Sequence, residues 1–186
     1  GIFFNSGQIC SATSRLIVHE AITESLYAAL GERIDALTLG DPLDEGTDMG
    51  PMTSERQRDA VRSYLALAER EGLEAVRDAR HRRLPDQGFF VAPVLYRDVP
   101  THSRLWCEEI FGPVLCARSV ASEEEAIALA NDSAFGLAAT VISGDAERAK
   151  RVGRALKAGS IWFNTEQLVL PETGWGGFGI SGIGRE

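Results

Sequence analysis

The chain is poor in the residues that build metal centres and disulfide frameworks, with 3 cysteines and 3 histidines in 186 residues. Cys10, Cys107 and Cys116 form no C-x-x-C pair, and His19, His81 and His102 are scattered, so zinc-ligand spacing is absent and no metal is expected. A sparse, odd set of cysteines excludes a disulfide scaffold and suits a reducing compartment, from which a cytoplasmic protein is expected. Positive charge is also short. Lys and Arg number 19 against 27 Asp and Glu, a net charge of -8. Phosphate backbones need clustered cations, so nucleic acid is excluded as the main partner. The one basic cluster, Arg77 to Arg83, is interrupted by Asp78 and reads as a solvated loop. No apolar run approaches the length of a membrane-spanning helix, and no signal peptide is seen.

What is present describes a globular chain. Hydrophobic residues make up 44% and charged residues 25%, and the length suits one domain with a sizeable core. Apolar spacing predicts a helix over Ala21 to Leu37, with a stripe of Ile22, Leu26, Ala29, Leu30, Ile34 and Leu37. A second helix is predicted over Glu55 to Glu71, striped by Val61, Tyr64, Leu65, Leu67 and Ala68 and stopped by Gly72. Glu74 to Val76 reads as a short strand, and Phe89 to Tyr96 as an extended segment interrupted by Pro93. Val114 to Val120 is a further strand. Ser122 and Glu125 form a capping box for a helix running to about Asn131. Ala138 to Ser143 reads as a buried strand, Asp145 caps a helix to about Leu156, and Ser160 to Asn164 is another strand. Alternation of strand and helix from Val114 to Asn164 predicts βαβ units and a single α/β domain with a mostly parallel central sheet flanked by helices.

The opening GIFFNSGQICSATSR carries the most chemistry. Cys10 follows a Gly-Gln pair and precedes the small residues Ser11 and Ala12, with a strand-like run from Leu16 to His19 beyond. Gly7 lets the backbone turn without a Cβ penalty. A cysteine in such a turn can expose its sulfur while neighbouring N–H groups point at a reacting atom, which suits thiolate attack on a carbonyl. Against this stands the usual behaviour of free cysteine as a small buried hydrophobe.

Three further segments stand in order behind the first: Glu108-Glu109-Ile110-Phe111-Gly112-Pro113-Val114, Asn131 through Ala138 around Phe135-Gly136-Leu137, and Trp162-Phe163-Asn164 followed by Trp175-Gly176-Gly177 and Ser181-Gly182-Ile183-Gly184-Arg185-Glu186. Together the four resemble the NAD(P)-dependent aldehyde dehydrogenase superfamily from the first residue to the last. The resemblance is to the catalytic domain of such an enzyme, so residues 1–186 are expected to form that domain. The chain is expected to be a piece of a longer polypeptide whose cofactor-binding domain, general-base Glu and oxyanion Asn lie upstream.

By this resemblance Cys10 is the nucleophile. It would attack the aldehyde to give a thiohemiacetal, and the thioester formed on oxidation would be hydrolysed to the acid. Glu109 would hold the nicotinamide ribose of NAD or NADP, with NAD favoured, and Phe111 would pack beside it. Without the resemblance, Glu109 is a solvated carboxylate before a turn and Phe111 a core aromatic. Phe4, Ile9, Ser11 and Trp175 would line the substrate pocket, although Phe4 and Trp175 read equally as core aromatics. Trp is common at this position in betaine-aldehyde and aminoaldehyde dehydrogenases, where ring faces hold a cationic group. Asn164 reads as a strand-end brace for the active-site loop. Glu186 is either a proton-relay carboxylate or a surface residue.

The chain departs from the pattern at Gly174, where Pro is common, at Gly179, where Lys is common, and over Thr165 to Glu172, which matches no substrate signature. The family is typically dimeric or tetrameric. Two other readings stay open: a structural or interaction domain without complete catalysis, and a cysteine-dependent esterase served by His19, His81 or His102.

Overall fold

The computed structural model describes residues 1–78, 82–165 and 167–186. A four-stranded sheet of order β1-β4-β3-β2 forms its centre, built from β1 (Arg15–His19), β2 (Ala75–Asp78), β3 (Val94–Tyr96) and β4 (Val114–Val120). The pairs β1–β4 and β4–β3 are parallel, and only the edge pair β2–β3 is antiparallel. Successive side chains of a strand point to opposite faces, so each strand feeds two cores. Val94 and Tyr96 of β3, with Val114 and Cys116 of β4, enter one core beside Val61, Leu65 and Ala68 of α2 (Glu55–Arg70). Leu95, Leu115 and Ala117 enter the other, beside Tyr27 and Ile34 of α1 (Thr23–Ala36). The result is a helix–sheet–helix sandwich. Covering on both faces explains why β4 begins as an unbroken apolar run.

Helix boundaries follow local chemistry. Ser54 accepts from the Gln57 N–H at the start of α2. Gly72, at φ 67°, ends it in a Schellman turn, with Leu73 N–H donating to the Ala68 carbonyl and Gly72 N–H to Glu69. The expected capping box opens α4 (Glu123–Asn131): Ser122 accepts from Glu125 N–H, and Glu125 accepts from Ala121 N–H.

Four expectations need correction. The stripe drawn on α1 is rotated: Ala29 is exposed and Ile22 is 54% exposed, while Thr23, Tyr27, Gly31 and Ile34 are buried. Tertiary contacts set that face, with Arg97 over the Tyr27 ring and the Arg77 side chain against Gly31. Only Val94–Tyr96 of the Phe89 to Tyr96 segment pairs as strand, because Pro93 has no N–H to give a ladder. The alternation after Val114 does not run through one sheet. Both edges of β4 are taken, by β1 and β3, so β6 (Ala138–Val141) and β7 (Ser160–Phe163) pair in parallel with each other across α5 (Ala146–Ala155). That pair is half-buried rather than buried, and Ile142 beyond it is 75% exposed. The short α3 (Arg104–Cys107) and the small antiparallel pair β5 (Phe135–Gly136) and β8 (Phe178–Gly179) complete the chain. Part of the Arg77 to Arg83 cluster lies outside the described residues.

Candidate active site

The backbone that leads to Cys10 is unusual. Asn5, Ser6 and Gly7 all have positive φ, at 48°, 56° and 75°. Two non-glycine residues in the left-handed region cost energy that the surroundings must repay. They do so with hydrogen bonds. Ser6 Oγ donates to the Gly50 carbonyl at 2.7 Å, and Gln8 Oε1 accepts from Thr53 N–H at 2.8 Å. Gly7 itself lies on Gly112, where an added Cβ would meet the Gly112 carbonyl oxygen at 2.1 Å. The chain then makes a tight turn closed by Ala12 N–H donating to the Ile9 carbonyl at 3.0 Å. Cys10 and Ser11 occupy its central positions. Cys10 is exposed and Ser11 is buried. Arg15, leaving the turn on β1, donates to the Ala130 carbonyl at the end of α4 and stacks over Trp106.

The Gly7–Gly112 contact brings the second predicted segment beside the first. Residues 108–113 are held from both ends. Glu108 accepts two bonds from Arg104, both at 2.8 Å, and one from Tyr64 Oη at 2.7 Å, which pull its carboxyl down to about 2. Gln57 of α2 donates its side-chain amide to the carbonyls of Ile110 and Phe111. Phe111 sits at φ 56° and is half-buried, and Glu109 is exposed. No partner among the described residues reaches the Glu109 carboxylate.

The third and fourth segments meet around two tryptophans. Trp162 on β7 and Trp175 lie with ring centroids 6.1 Å apart at 40°, and Trp162 Nε1 donates to the Leu168 carbonyl. One residue earlier, Gln167 reaches the Cys10 turn. Its Nε2 donates to the Ser11 carbonyl at 2.6 Å, and its Oε1 accepts from Ser11 Oγ at 3.4 Å. The described contacts therefore connect Trp175 to the Cys10 turn through Trp162, the 167–168 segment and Ser11. Trp175 and Glu186 exchange backbone hydrogen bonds and share a hollow of about 420 Å³, whose lining does not include Cys10.

The entire chain, residues 1–186, matches the profile of the Aldehyde dehydrogenase family. The chain belongs to the aldehyde dehydrogenase family. It is 44% identical over 186 residues to aminoaldehyde dehydrogenase 2, peroxisomal, of Pisum sativum, and 40% identical over the same span to betaine aldehyde dehydrogenase, chloroplastic, of Beta vulgaris. It covers 37% of each, so the chain spans a little over a third of these relatives. Among solved structures it superposes on an NAD+ complex of betaine aldehyde dehydrogenase from Staphylococcus aureus with TM-score 0.93 at 37% identity, over 98% of this chain and 37% of that one. An NAD+ complex of aldehyde dehydrogenase from Bacillus cereus gives TM-score 0.94 at 37% identity, over 100% and 37%. The α/β fold and its layers are those of this family.

A nicotinamide dinucleotide is the cofactor the family implies, and the residues present fit one end of it. Glu109 offers a free carboxylate, an acceptor for paired hydroxyls, on a loop whose neighbours Glu108, Ile110 and Phe111 are all tied down. Phe111, two residues on, offers a half-buried aromatic ring on the same loop. Several expected roles look different in three dimensions. Phe4 is 72% exposed, so it is not a core aromatic. Asn164 bonds both ways to the backbone of Ser143, at 2.8 Å each, and braces the turn after β6 rather than the active-site loop. Cys107 is exposed and donates to the Thr101 carbonyl. Ile9 is half-buried in the Cys10 turn, and Glu186 is exposed. His19 Nδ1 accepts from Ala21 N–H, and His81 lies outside the described residues. Sequence reasoning missed Gln57 and Gln167, because each acts through a fold contact: 53 residues to Ile110 and 156 to Ser11. No helix among the described residues is long and apolar enough to cross a membrane.

Proposed function

We propose that residues 1–186 are the catalytic domain of an enzyme that oxidises an aldehyde to a carboxylic acid with NAD(P)+, and that Cys10 is its nucleophile. One observation carries the proposal: an exposed thiol in a hydrogen-bonded turn that directly follows the left-handed Asn5–Gly7 segment, which packs through Gly7 onto the loop that presents a free Glu109 carboxylate. The Cys10 thiolate adds to the aldehyde carbon, forming a C–S bond and leaving a negative oxygen. The Cys10 backbone N–H is the donor this chain supplies to that oxygen. When bound, the nicotinamide supplies the acceptor for the hydride that leaves the same carbon. Water then cleaves the Cys10 thioester, releasing the acid and restoring the thiol.

Glu109 and Phe111 hold the nicotinamide ribose end in this reading, and NAD is the proposed form, in keeping with the NAD+ complexes of the two bacterial relatives. A dinucleotide-binding domain is supplied by the rest of the polypeptide. Trp175, Ile9, Ser11 and Phe4 flank the substrate, and Glu186 is a candidate for the proton path. The substrate class is an aldehyde bearing an amino or quaternary ammonium group, supported by Trp175 and by the names of the relatives. A homodimer or tetramer is proposed for the full-length protein. The free thiols suit a reducing compartment, and the cytoplasm is the proposed one.

The test is thiol replacement in the full-length protein. Cys10→Ala should abolish aldehyde oxidation, while Cys107→Ala and Cys116→Ala should keep it. Turnover by Cys10→Ala would overturn the proposal.

A further inference from the structure

We propose that Gln167 is a positioning residue for the nucleophile. It sets the attitude of the Cys10 turn and couples that turn to the tryptophan pair. The inference rests on Cys10 being the nucleophile, as proposed above.

The Ser11–Ala12 peptide unit is pinned from both sides. Its N–H, on Ala12, donates to Ile9, and its carbonyl, on Ser11, accepts from the Gln167 amide at 2.6 Å. The first bond closes the turn on itself. The second is the one that orients the closed turn against another part of the molecule. Ser11 is 5% exposed, so its carbonyl has little access to water if Gln167 is lost. Ser11 Oγ adds a second contact to the same amide. Movement of the closed turn as a body would carry the Cys10 sulfur and its backbone N–H together, the two groups that must face one carbonyl. The next residue, Leu168, holds the Trp162 indole, which packs on Trp175. A shift of Trp175 on substrate binding would thus be transmitted to the nucleophile through one side chain. The Thr165 to Glu172 stretch, which matches no substrate signature, has a positional role at its Gln.

An amide is needed because the site asks for one donor and one acceptor. Gln167→Glu has the right shape but donates to the Ser11 carbonyl only when its carboxyl is protonated. Gln167→Met keeps the volume and removes both bonds.

The experiment measures acylation of Cys10 by p-nitrophenyl acetate, and kcat and KM for aldehyde oxidation, in the full-length protein. Gln167→Met should lower acylation and kcat by about ten- to a hundredfold, with the cofactor KM within about twofold of wild type. Gln167→Glu should be similarly impaired at pH 8. Its acylation rate relative to wild type should climb at least about threefold by pH 4.5, where about 40% of a carboxyl with an ordinary Glu pKa carries the missing proton. A residue that only supports the fold would give no such pH-dependent recovery. If Gln167→Met does not fold, the pH profile of Gln167→Glu decides alone. Wild-type acylation at pH 8 in Gln167→Glu, or a ratio flat across the pH range, overturns the proposal. Cys10→Ala is assayed alongside: acylation surviving in it rejects the nucleophile assignment itself, a different failure.

Discussion

Two cysteines of this chain differ in reactivity for reasons visible around each sulfur. Cys116 is 1% exposed in the centre of β4, and burial pushes its thiol up to about 12. Cys10 is exposed. Iodoacetamide at pH 8, followed by peptide mass spectrometry, should therefore label Cys10 while Cys116 stays unlabelled until the protein unfolds. For Glu109, Glu109→Gln keeps the shape and loses a charge-assisted bond worth roughly 1.5–3 kcal/mol. Pre-steady-state NADH formation should slow accordingly, with a smaller change in cofactor affinity. An unchanged rate would make Glu109 a solvated carboxylate only. Trp175→Ala should reduce the preference for betaine aldehyde over an uncharged isostere by about 0.5–2 kcal/mol in relative kcat/KM, and Trp175→Phe by less. Equal losses for both substrates would leave Trp175 shaping the pocket without recognising a cation.

At the scale of elements, the Cys10 turn, the 108–113 loop and α2 behave as one assembly. Gly7 joins the first two: it needs positive φ, and it leaves no room for a Cβ against Gly112. Gly7→Ala should cost about 1–3 kcal/mol from backbone strain alone, with the steric clash added. Urea unfolding measures this cost, and a variant as stable as wild type would contradict the packing. Gln57 makes the link from α2, donating to Ile110 and Phe111. None of these partners is close in sequence. The motifs around Cys10 and Phe111 were legible as motifs, because glycine, proline and the small residues mark where backbone must turn or approach closely. Their mutual placement was not, because it depends on which sheet edges are already filled.

Over the whole molecule, charge and pH bear on stability. Glu108 ionises at about 2 in the folded chain against an ordinary value of 4.5, because Arg104 and then Tyr64 bond its charged form. A depressed folded value means stability present above pH 4.5 and lost as pH falls towards about 2. The melting temperature of Glu108→Gln should thus lie below wild type at neutral pH, and the gap should close across that acid range. Solvent exposure of the pair keeps the effect small. A gap that persists at pH 2 would mean that Glu108 acts by packing rather than by charge.

The sequence by itself determined the elements with strong local signals: the helices capped by Ser122 and Asp145, the Gly72 stop, the apolar β4 and the four motifs that mark the family. These depend on neighbours within a turn or two, where side-chain chemistry acts directly on nearby backbone. Only the tertiary structure decided the buried face of α1, the separation of β6 and β7 from the central sheet, the partner of Asn164, and the grip of Gln167 on Ser11. Each depends on a contact whose partner lies far along the chain. Periodicity shows that a helix or strand has an apolar side, but packing selects what that side meets.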